Sequence, residues 1–213
     1  MRQPTPTVFA VDEDSGVRRS LSLLLKSLGY PAATFASAAQ FLASYTDERP
    51  GCLLLDVRMP GVGGPELQRE LNMSAPLLPV IVISGHADIP MAVEAMRCGA
   101  FDFLQKPFRE QELLDRVQRA LAADRENRAR LRSHRLVRSR WSTLTRRERE
   151  VLARVASGNS NKVIACHLGI SPRTVEIHRS RILEKMHAES LAQLVRMSLM
   201  SARPCDTYPR FAA

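Results

Sequence analysis

The sequence predicts an α/β domain, built on a doubly wound five-stranded parallel sheet, followed by a small all-α domain of four helices. Three observations support this architecture: the length of 213 residues, short apolar runs that alternate with helical patterns in the first half, and purely helical patterning after Trp141. Domains hold about 100 to 200 residues, so the length favours two of them. Apolar residues make up 45% and charged residues 25%, which is globular usage and excludes disordered, collagenous and disulfide-scaffold chains.

The five strand candidates are residues 7–11, 33–35, 52–55, 80–83 and 101–104. Between them, leucines recur at helical spacing over 21–28 and stop at Gly29, and the helical pattern of 90–98 stops at Gly99. Strands that alternate with helices indicate a parallel sheet. In such a sheet, ligands collect at the carboxyl ends of the strands.

The second half begins with a predicted helix over 110–140, which carries seven arginines between Arg125 and Arg140. Four short helices are then expected from their capping residues. These caps are Thr145 with Glu148, Ser160, Ser171 with Pro172, and Ser190. We therefore expect one domain at 5–123, an arginine-rich helical linker at 124–141, a second domain at 142–202 and a loose tail at 203–213.

The positive charge lies in one half of the chain. Residues 1–123 hold 12 basic and 14 acidic side chains, a net charge of −2, whereas residues 124–213 hold 19 and 8, a net charge of +11. Such concentrated charge favours nucleic acid as the partner, with an anionic membrane surface or a solvated basic face as alternatives.

No apolar run approaches the roughly 18 residues of a transmembrane helix, and the N-terminus lacks a signal-peptide run, so a cytoplasmic protein is expected. The four cysteines lie far apart, which predicts reduced thiols.

Polar side chains follow four of the predicted strands. They are Asp12 and Glu13 after the first strand, Asp56 after the third, Ser84 after the fourth and Lys106 after the fifth. Converging carboxylates repel one another unless a cation neutralises them, and Mg²⁺ suits oxygen ligands of this kind. A carboxylate held near Mg²⁺ and an ammonium can attack a phosphoryl donor to make an acyl phosphate. Any one of these acids could simply begin a loop, but five polar groups at successive strand ends argue against that interpretation.

The motifs that carry these residues are V-D-E-D (11–14), L-L-L-D-V-R-M-P-G (53–61), V-I-S-G-H (82–86) and K-P-F (106–108). In order and spacing this segment, 7 to about 122, resembles the flavodoxin-like receiver domain of two-component response regulators. The resemblance implies that Asp56 accepts a phosphoryl group and that Ser84 and Lys106 contact it. It implies that Mg²⁺ is bound by Glu13, Asp56 and the backbone carbonyl of Arg58, and that Asp12 supports the metal through its waters.

Two further features have both a family interpretation and a plain one. Phe103 takes the place of the family's switch aromatic, or is an ordinary core phenylalanine of the fifth strand. Pro107 follows a cis peptide bond, or begins a helix after a simple turn. Glu13 stands where many receivers have aspartate, which keeps the charge and the ligand type but lengthens the side chain.

Residues 160–186 have the layout of a helix-turn-helix, with the turn at Gly169. Wound at 3.6 residues per turn, the second helix buries an apolar inner face and directs a polar face outward. The inner face is Val175, Ile182 and Met186; the outer face is Arg173, Ile177, Ser180 and Glu184, flanked by Glu176 and Arg181. An exposed isoleucine suits a thymine methyl group, and arginines suit phosphate or guanine.

The segment 144–200 resembles the LuxR-type helix-turn-helix of the NarL/FixJ regulators, nearest to the FixJ branch. The resemblance rests on L-T-R-R-E-R-E-V-L, S-N-K-V-I-A, L-G-I-S and T-V-E-I-H-R-S-R-I-L-E-K-M. It implies contacts to the DNA backbone from Lys162, Thr174, Arg179 and Lys185. The DNA-binding residues expected in all are Lys162, Arg173, Thr174, Glu176, Ile177, Arg179, Ser180, Arg181 and Lys185.

Together the two resemblances imply a phosphorylation-controlled transcription regulator. A sensor histidine kinase would phosphorylate Asp56, and a homodimer formed through residues 91–103 would bind double-stranded promoter DNA and act with RNA polymerase. The protein would not be an enzyme, apart from catalysing its own phosphorylation and dephosphorylation. Two alternatives are an aspartate-nucleophile phosphatase, which needs a second acid where this chain has Arg58, and a receiver switched by protein contact without phosphate.

Overall fold

The computed structural model describes residues 5–57, 68–71, 73, 77–85 and 89–202. They fall into two compact units, the first ending at Arg128 and the second beginning at Ala129. Arg58 and the tail at 203–213 lie outside the described residues. Within the described part of the chain, no helix has both the length and the hydropathy that crossing a membrane requires.

The first unit contains the predicted five-stranded parallel sheet. Its strands run in the spatial order β2-β1-β3-β4-β5, and every neighbouring pair is parallel. The strands are β1 (Thr7–Val11), β2 (Ala32–Phe35), β3 (Gly51–Asp56), β4 (Val80–Ser84) and β5 (Asp102–Gln105). The prediction of fold class is confirmed, and the strand bounds differ from the predicted ones by no more than a residue or so.

Helices flank the sheet on both faces. They are α1 (Ser15–Ser27), α2 (Ala38–Ser44), α3 (Ile89–Arg97) and the first part of α4 (Glu110–Ser142). Side chains alternate along each strand, so β3 sends Leu53 and Leu55 into one apolar cluster with α2 and α3. Cys52 and Leu54 enter a second cluster, formed with α1 and α4. Both sheet faces are therefore covered, as a doubly wound fold requires.

The second unit is all-helical and contains the four predicted short helices. They are α5 (Arg146–Ala156), α6 (Asn161–Leu168), α7 (Pro172–Met186) and α8 (Leu191–Ala202). Thr145 and Glu148 form the predicted capping box, and Ser160 and Ser171 cap the next two helices. Gly169 ends α6 with a positive φ of 63°, a conformation that glycine adopts without steric cost. This turn places α6 and α7 in the predicted helix-turn-helix.

Candidate functional site

Two buried carboxylates lie where the order of the strands reverses. Asp12 follows β1 and is 4% exposed, and Asp56 ends β3 and is 9% exposed. The Lys106 ammonium, just after β5, donates to Asp12 Oδ2 and to Asp56 Oδ1, both at 2.8 Å. The structure therefore brings together three of the predicted site residues in the crevice where doubly wound sheets bind ligands.

The charge balance of this trio favours a further cation. Two carboxylates and one ammonium carry a net charge of −1. Burial lowers the pKa of Lys106, but hydrogen bonds and charge attraction from Asp12 and Asp56 outweigh it, so the pKa is raised above its ordinary value. Lys106 thus stays protonated at neutral pH. The Lys106–Pro107 peptide bond is cis, which agrees with the family interpretation.

The loop after β1 is held by a residue that the sequence did not single out. Arg18 donates from its Nη1 to the backbone carbonyls of Asp12 and Glu13, at 2.8 Å each. Asp14 serves a local purpose, because it caps α1 by accepting from Gly16 N at 2.7 Å. Its own amide donates to Asp12 Oδ1 at 2.9 Å. No periodicity could have revealed Arg18, because its acceptors are main-chain oxygens.

The residues expected to bind Mg²⁺ are only partly assembled. Asp12 and Asp56 share one ammonium, whereas Glu13 is exposed, and the Arg58 carbonyl lies outside the described residues. Within the described part of the chain, no three His, Cys, Asp or Glu side chains are placed to hold a metal ion. The two aspartates nevertheless fit Mg²⁺ by donor type, because both supply carboxylate oxygens.

Ser84 and Phe103, which were expected to take part in switching, lie on the neighbouring strands β4 and β5. Ser84 is buried at the end of β4, and its hydroxyl donates to Met91 Sδ at 3.4 Å. Its carbonyl accepts from the Lys106 amide at 2.7 Å, which ties it to the crevice. Phe103 is half-buried against the first apolar cluster.

In the second unit, α7 presents the predicted outer face. One groove is lined by Arg173, Glu176, Ile177, Ser180, Arg181 and Glu184. Ile177 is 46% exposed, so its apolar side chain is accessible between the polar groups of this groove. The opposite side of α7 buries Val175, Ile182 and Met186 in the core. The helical arrangement therefore leaves a mixed polar and apolar face available for a ligand.

The remaining residues expected to contact DNA differ in exposure and in the hydrogen bonds that they already make within the protein. Lys162 is exposed in the first turn of α6. Thr174 is half-buried, and its hydroxyl bonds to that of Ser171 at 2.8 Å. Arg179 donates to Asn161 Oδ1 at 2.6 Å, so it also joins α7 to α6.

Lys185 has a structural partner that the sequence did not reveal. Its ammonium donates to both carboxylate oxygens of Glu148, at 2.8 and 3.0 Å. Glu148 is 3% exposed and also accepts from the Thr145 amide at 2.7 Å. Burial raises the pKa of Glu148, but these hydrogen bonds outweigh it, so the pKa is lowered. Lys185 was expected to contact DNA phosphates. In the structure its ammonium is instead paired with the buried carboxylate of Glu148.

Comparisons with known proteins match both units. Residues 8–118 match the family "Response regulator receiver domain", and residues 142–198 match "Bacterial regulatory proteins, luxR family". Nodulation protein W of Bradyrhizobium diazoefficiens is 46% identical over 90% of this chain and 84% of its own length. Transcriptional regulatory protein FixJ of Azorhizobium caulinodans is 44% identical over 93% and 95%. The solved structure of response regulator StyR covers 92% of this chain and 98% of its own, with a TM-score of 0.82 and 44% identity.

Proposed function

The chain belongs to the response regulators that join a receiver domain to a LuxR-type DNA-binding domain, and on that premise we propose that Asp56 is its phosphoacceptor. It is a phosphorylation-controlled transcription regulator. The observation that supports Asp56 is the ammonium of Lys106, 2.8 Å from both Asp56 and Asp12. This ammonium is placed to neutralise charge that arrives on a phosphoryl group.

The chemistry follows from this arrangement. A carboxylate oxygen of Asp56 attacks phosphorus, the bond from phosphorus to the donor's leaving atom breaks, and an acyl phosphate forms. The leaving group departs with the electron pair of the broken bond: the nitrogen of a phosphohistidine donor is protonated as it leaves, whereas acetyl phosphate releases acetate, which needs no proton. Lys106 stabilises negative charge on the phosphoryl oxygens. Mg²⁺, held by Asp12 and Asp56 and completed by Glu13 and the Arg58 carbonyl, would supply further positive charge there.

Movements of Ser84 and Phe103 then couple the phosphoryl group on Asp56 to a change in the surface formed by residues 91–103. The phosphoryl group brings a charge of about −1.5 to −2 and three acceptor oxygens, for which the Ser84 hydroxyl can leave the Met91 sulfur, a weak acceptor. Phe103 moves inward as Ser84 shifts. Moving such an equilibrium from 1:99 to 99:1 needs roughly 5.5 kcal/mol. Formation of a homodimer through residues 91–103 contributes part of this free energy.

The second unit binds promoter DNA through α7. Its outer groove offers Ile177 and Ser180 to base edges and Arg173 and Arg181 to phosphates or guanines. Lys162, Thr174, Glu176, Arg179 and Lys185 support this contact from the rim of the helix-turn-helix. RNA polymerase is the further partner proposed for this promoter-bound regulator.

Relatives of this chain are transcription regulators and not classical enzymes, so phosphatase activity on other molecules is not part of the proposal. The receiver catalyses only its own phosphorylation and dephosphorylation, with a sensor histidine kinase as the physiological donor. A receiver that switches by protein contact alone would keep the same fold but take up no phosphate.

The test is the intact mass of the full chain after incubation with acetyl phosphate and Mg²⁺. Wild type and Asp115→Asn, an exposed aspartate on α4, should each gain the mass of one phosphoryl group. Asp56→Asn should gain none, because an amide is not a nucleophile of this kind. Equal uptake by Asp56→Asn and wild type would refute Asp56 as the acceptor, and no uptake by any variant would favour switching without phosphate.

A further inference from the structure

The connecting part of α4 is unusually basic. Between Glu126 and Glu148 the chain holds eight arginines and no acidic residue. Three of these arginines, Arg132, Arg135 and Arg138, recur every third residue, and all three are exposed. Residues three apart are neighbours on a helix surface, so the three guanidinium groups form one stripe along α4. We call them the arginine stripe.

The arginine stripe has no partner among the residues that the structure describes. None of its three guanidinium groups forms an ion pair or hydrogen bond there, whereas Arg128 and Arg140 on the same helix do. Like charges at this spacing destabilise a helix, and no acid on a neighbouring turn offsets the repulsion. A bound polyanion would relieve it.

The stripe is carried by the DNA-binding unit. Val137 is buried in the core of that unit, and Trp141 packs against the same core. Arg140 donates to the carbonyl of Met186, the last residue of α7, at 3.1 Å. These contacts hold the end of α4 on the unit that contains the recognition helix. The stripe and α7 therefore belong to the same compact unit, so one DNA duplex can meet both.

We propose that Arg132, Arg135 and Arg138 bind DNA phosphates in addition to those contacted by the helix-turn-helix. The inference rests on the proposed role of α7 in DNA binding and extends the interface to the connecting helix. Charge complementarity selects the partner, because duplex DNA carries one negative charge per ~1.7 Å of its axis and arginine suits phosphate. Such contacts add affinity without reading sequence.

The experiment is a salt titration of the full chain on a 40-bp scrambled duplex and on a promoter duplex footprinted by the phosphorylated protein. Each phosphate contact adds about 0.9 to the slope of log Kobs against log salt. The triple variant R132Q/R135Q/R138Q should therefore lower the slope by roughly 2 to 3 on both duplexes. When salt rises from 50 to 200 mM, the fold-decrease in Kobs of this variant should be about 15 to 60 times smaller than the fold-decrease in Kobs of wild type. The lysine triple R132K/R135K/R138K should keep most of the slope.

Two controls make the result specific. R19Q/R109Q removes exposed charge from the receiver and should leave the slope unchanged. Trp141 fluorescence should show that the DNA-binding unit stays folded in the stripe variants, and hydrogen exchange of β3 should show that the receiver stays folded in R19Q/R109Q. An unchanged slope in the glutamine triple, or an equal loss of slope per charge in R19Q/R109Q, would overturn the proposal. In either case a preserved preference for the promoter duplex over the scrambled one would leave the proposed role of α7 standing. If wild type binds no duplex, the role of α7 fails as well. Stripe-dependent binding to anionic lipid vesicles without a change of DNA slope would identify a membrane surface and also overturn it.

Discussion

Arg128 is expected to hold the receiver together from outside its predicted boundary. Its Nε donates to both oxygens of Asp124, at 2.7 and 2.9 Å, and Asp124 is 1% exposed. The same carboxylate accepts from the amide of Gly51, the first residue of β3, at 3.1 Å. Arg128 also donates to the carbonyls of Asp47 and Arg49, the latter at 3.0 Å. One guanidinium thus connects α4 to the start of a central strand.

Replacing Arg128 by methionine leaves the Asp124 carboxylate buried without its counter-charge. Removing one partner of a buried ion pair costs about 3–5 kcal/mol. With an m value of about 2 kcal/mol per M, the urea midpoint of the receiver should fall by roughly 1.5–2.5 M. In Arg128→Met/Asp124→Asn the buried charge is gone, while the asparagine oxygen still accepts from Gly51. This double variant should regain more than half of the loss.

The two units can be followed separately in the full chain. Trp141 is the only tryptophan and packs in the second unit, so its fluorescence reports on that unit. Hydrogen exchange of β3, measured by mass spectrometry along the same urea series, reports on the receiver. A midpoint for β3 within about 0.3 M of wild type would refute the reasoning. So would a Trp141 midpoint that shifts as far as that of β3, because Arg128 would then not belong to the receiver.

Three predictions concern the DNA-binding unit. Glu148→Gln should destabilise this unit at neutral pH, since Lys185 loses a charged partner worth roughly 1.5–3 kcal/mol. The folded pKa of Glu148 is lowered, so its contribution is complete above the unfolded value of about 4.3 and is lost as pH falls through the folded pKa. In thermal melts, the stability gap between wild type and variant should begin to close as pH falls below about 4.3 and should narrow further as pH falls through the folded pKa; a constant gap would contradict the pairing. Ile177→Ala should cost about 1–3 kcal/mol on the true site and spare non-specific binding. Lys162→Ala should weaken both alike and lower the salt slope by about one, and binding titrations that give the reverse pattern would invalidate the outer-face assignment.

Apolar periodicity and capping residues predicted most of the fold, because each is a local signal. The five strands and Gly29, Gly99 and Gly169 were placed from short windows of sequence, and each of these glycines has a positive φ. Helix α2 was not predicted, since its seven residues are too few for a clear period. A local signal was nevertheless present. Ser37 and Gln40 have capping-box spacing, and Ser37 Oγ accepts from the Gln40 amide at 3.2 Å.

The site was predictable wherever its residues sit at strand ends, and less so where contacts join distant parts of the chain. Asp12, Asp56 and Lys106 were identified because parallel strands end at one edge. Lys185 lies 37 residues from Glu148, and a helical wheel shows which face a lysine is on but not which carboxylate it meets. Arg18 was missed for a related reason, since its acceptors are two carbonyls that every residue possesses.

The boundary between the two domains shows why composition alone cannot divide this chain. The predicted boundary follows residue 123, whereas the first compact unit ends at Arg128. The five residues between contain two acids, Asp124 and Glu126, and two arginines, Arg125 and Arg128. Either cut therefore leaves a net charge of −2 before it and +11 after it. The net charge of these five residues is zero, so the charge on either side cannot locate the boundary. Their helical pattern also continues without interruption through α4. Only the tertiary contacts of Asp124 and Arg128 with residues 47–51, more than 70 positions earlier, assign this turn of helix to the receiver. We accordingly propose that the receiver extends through Arg128 and that the connecting segment begins at Ala129, next to the arginine stripe.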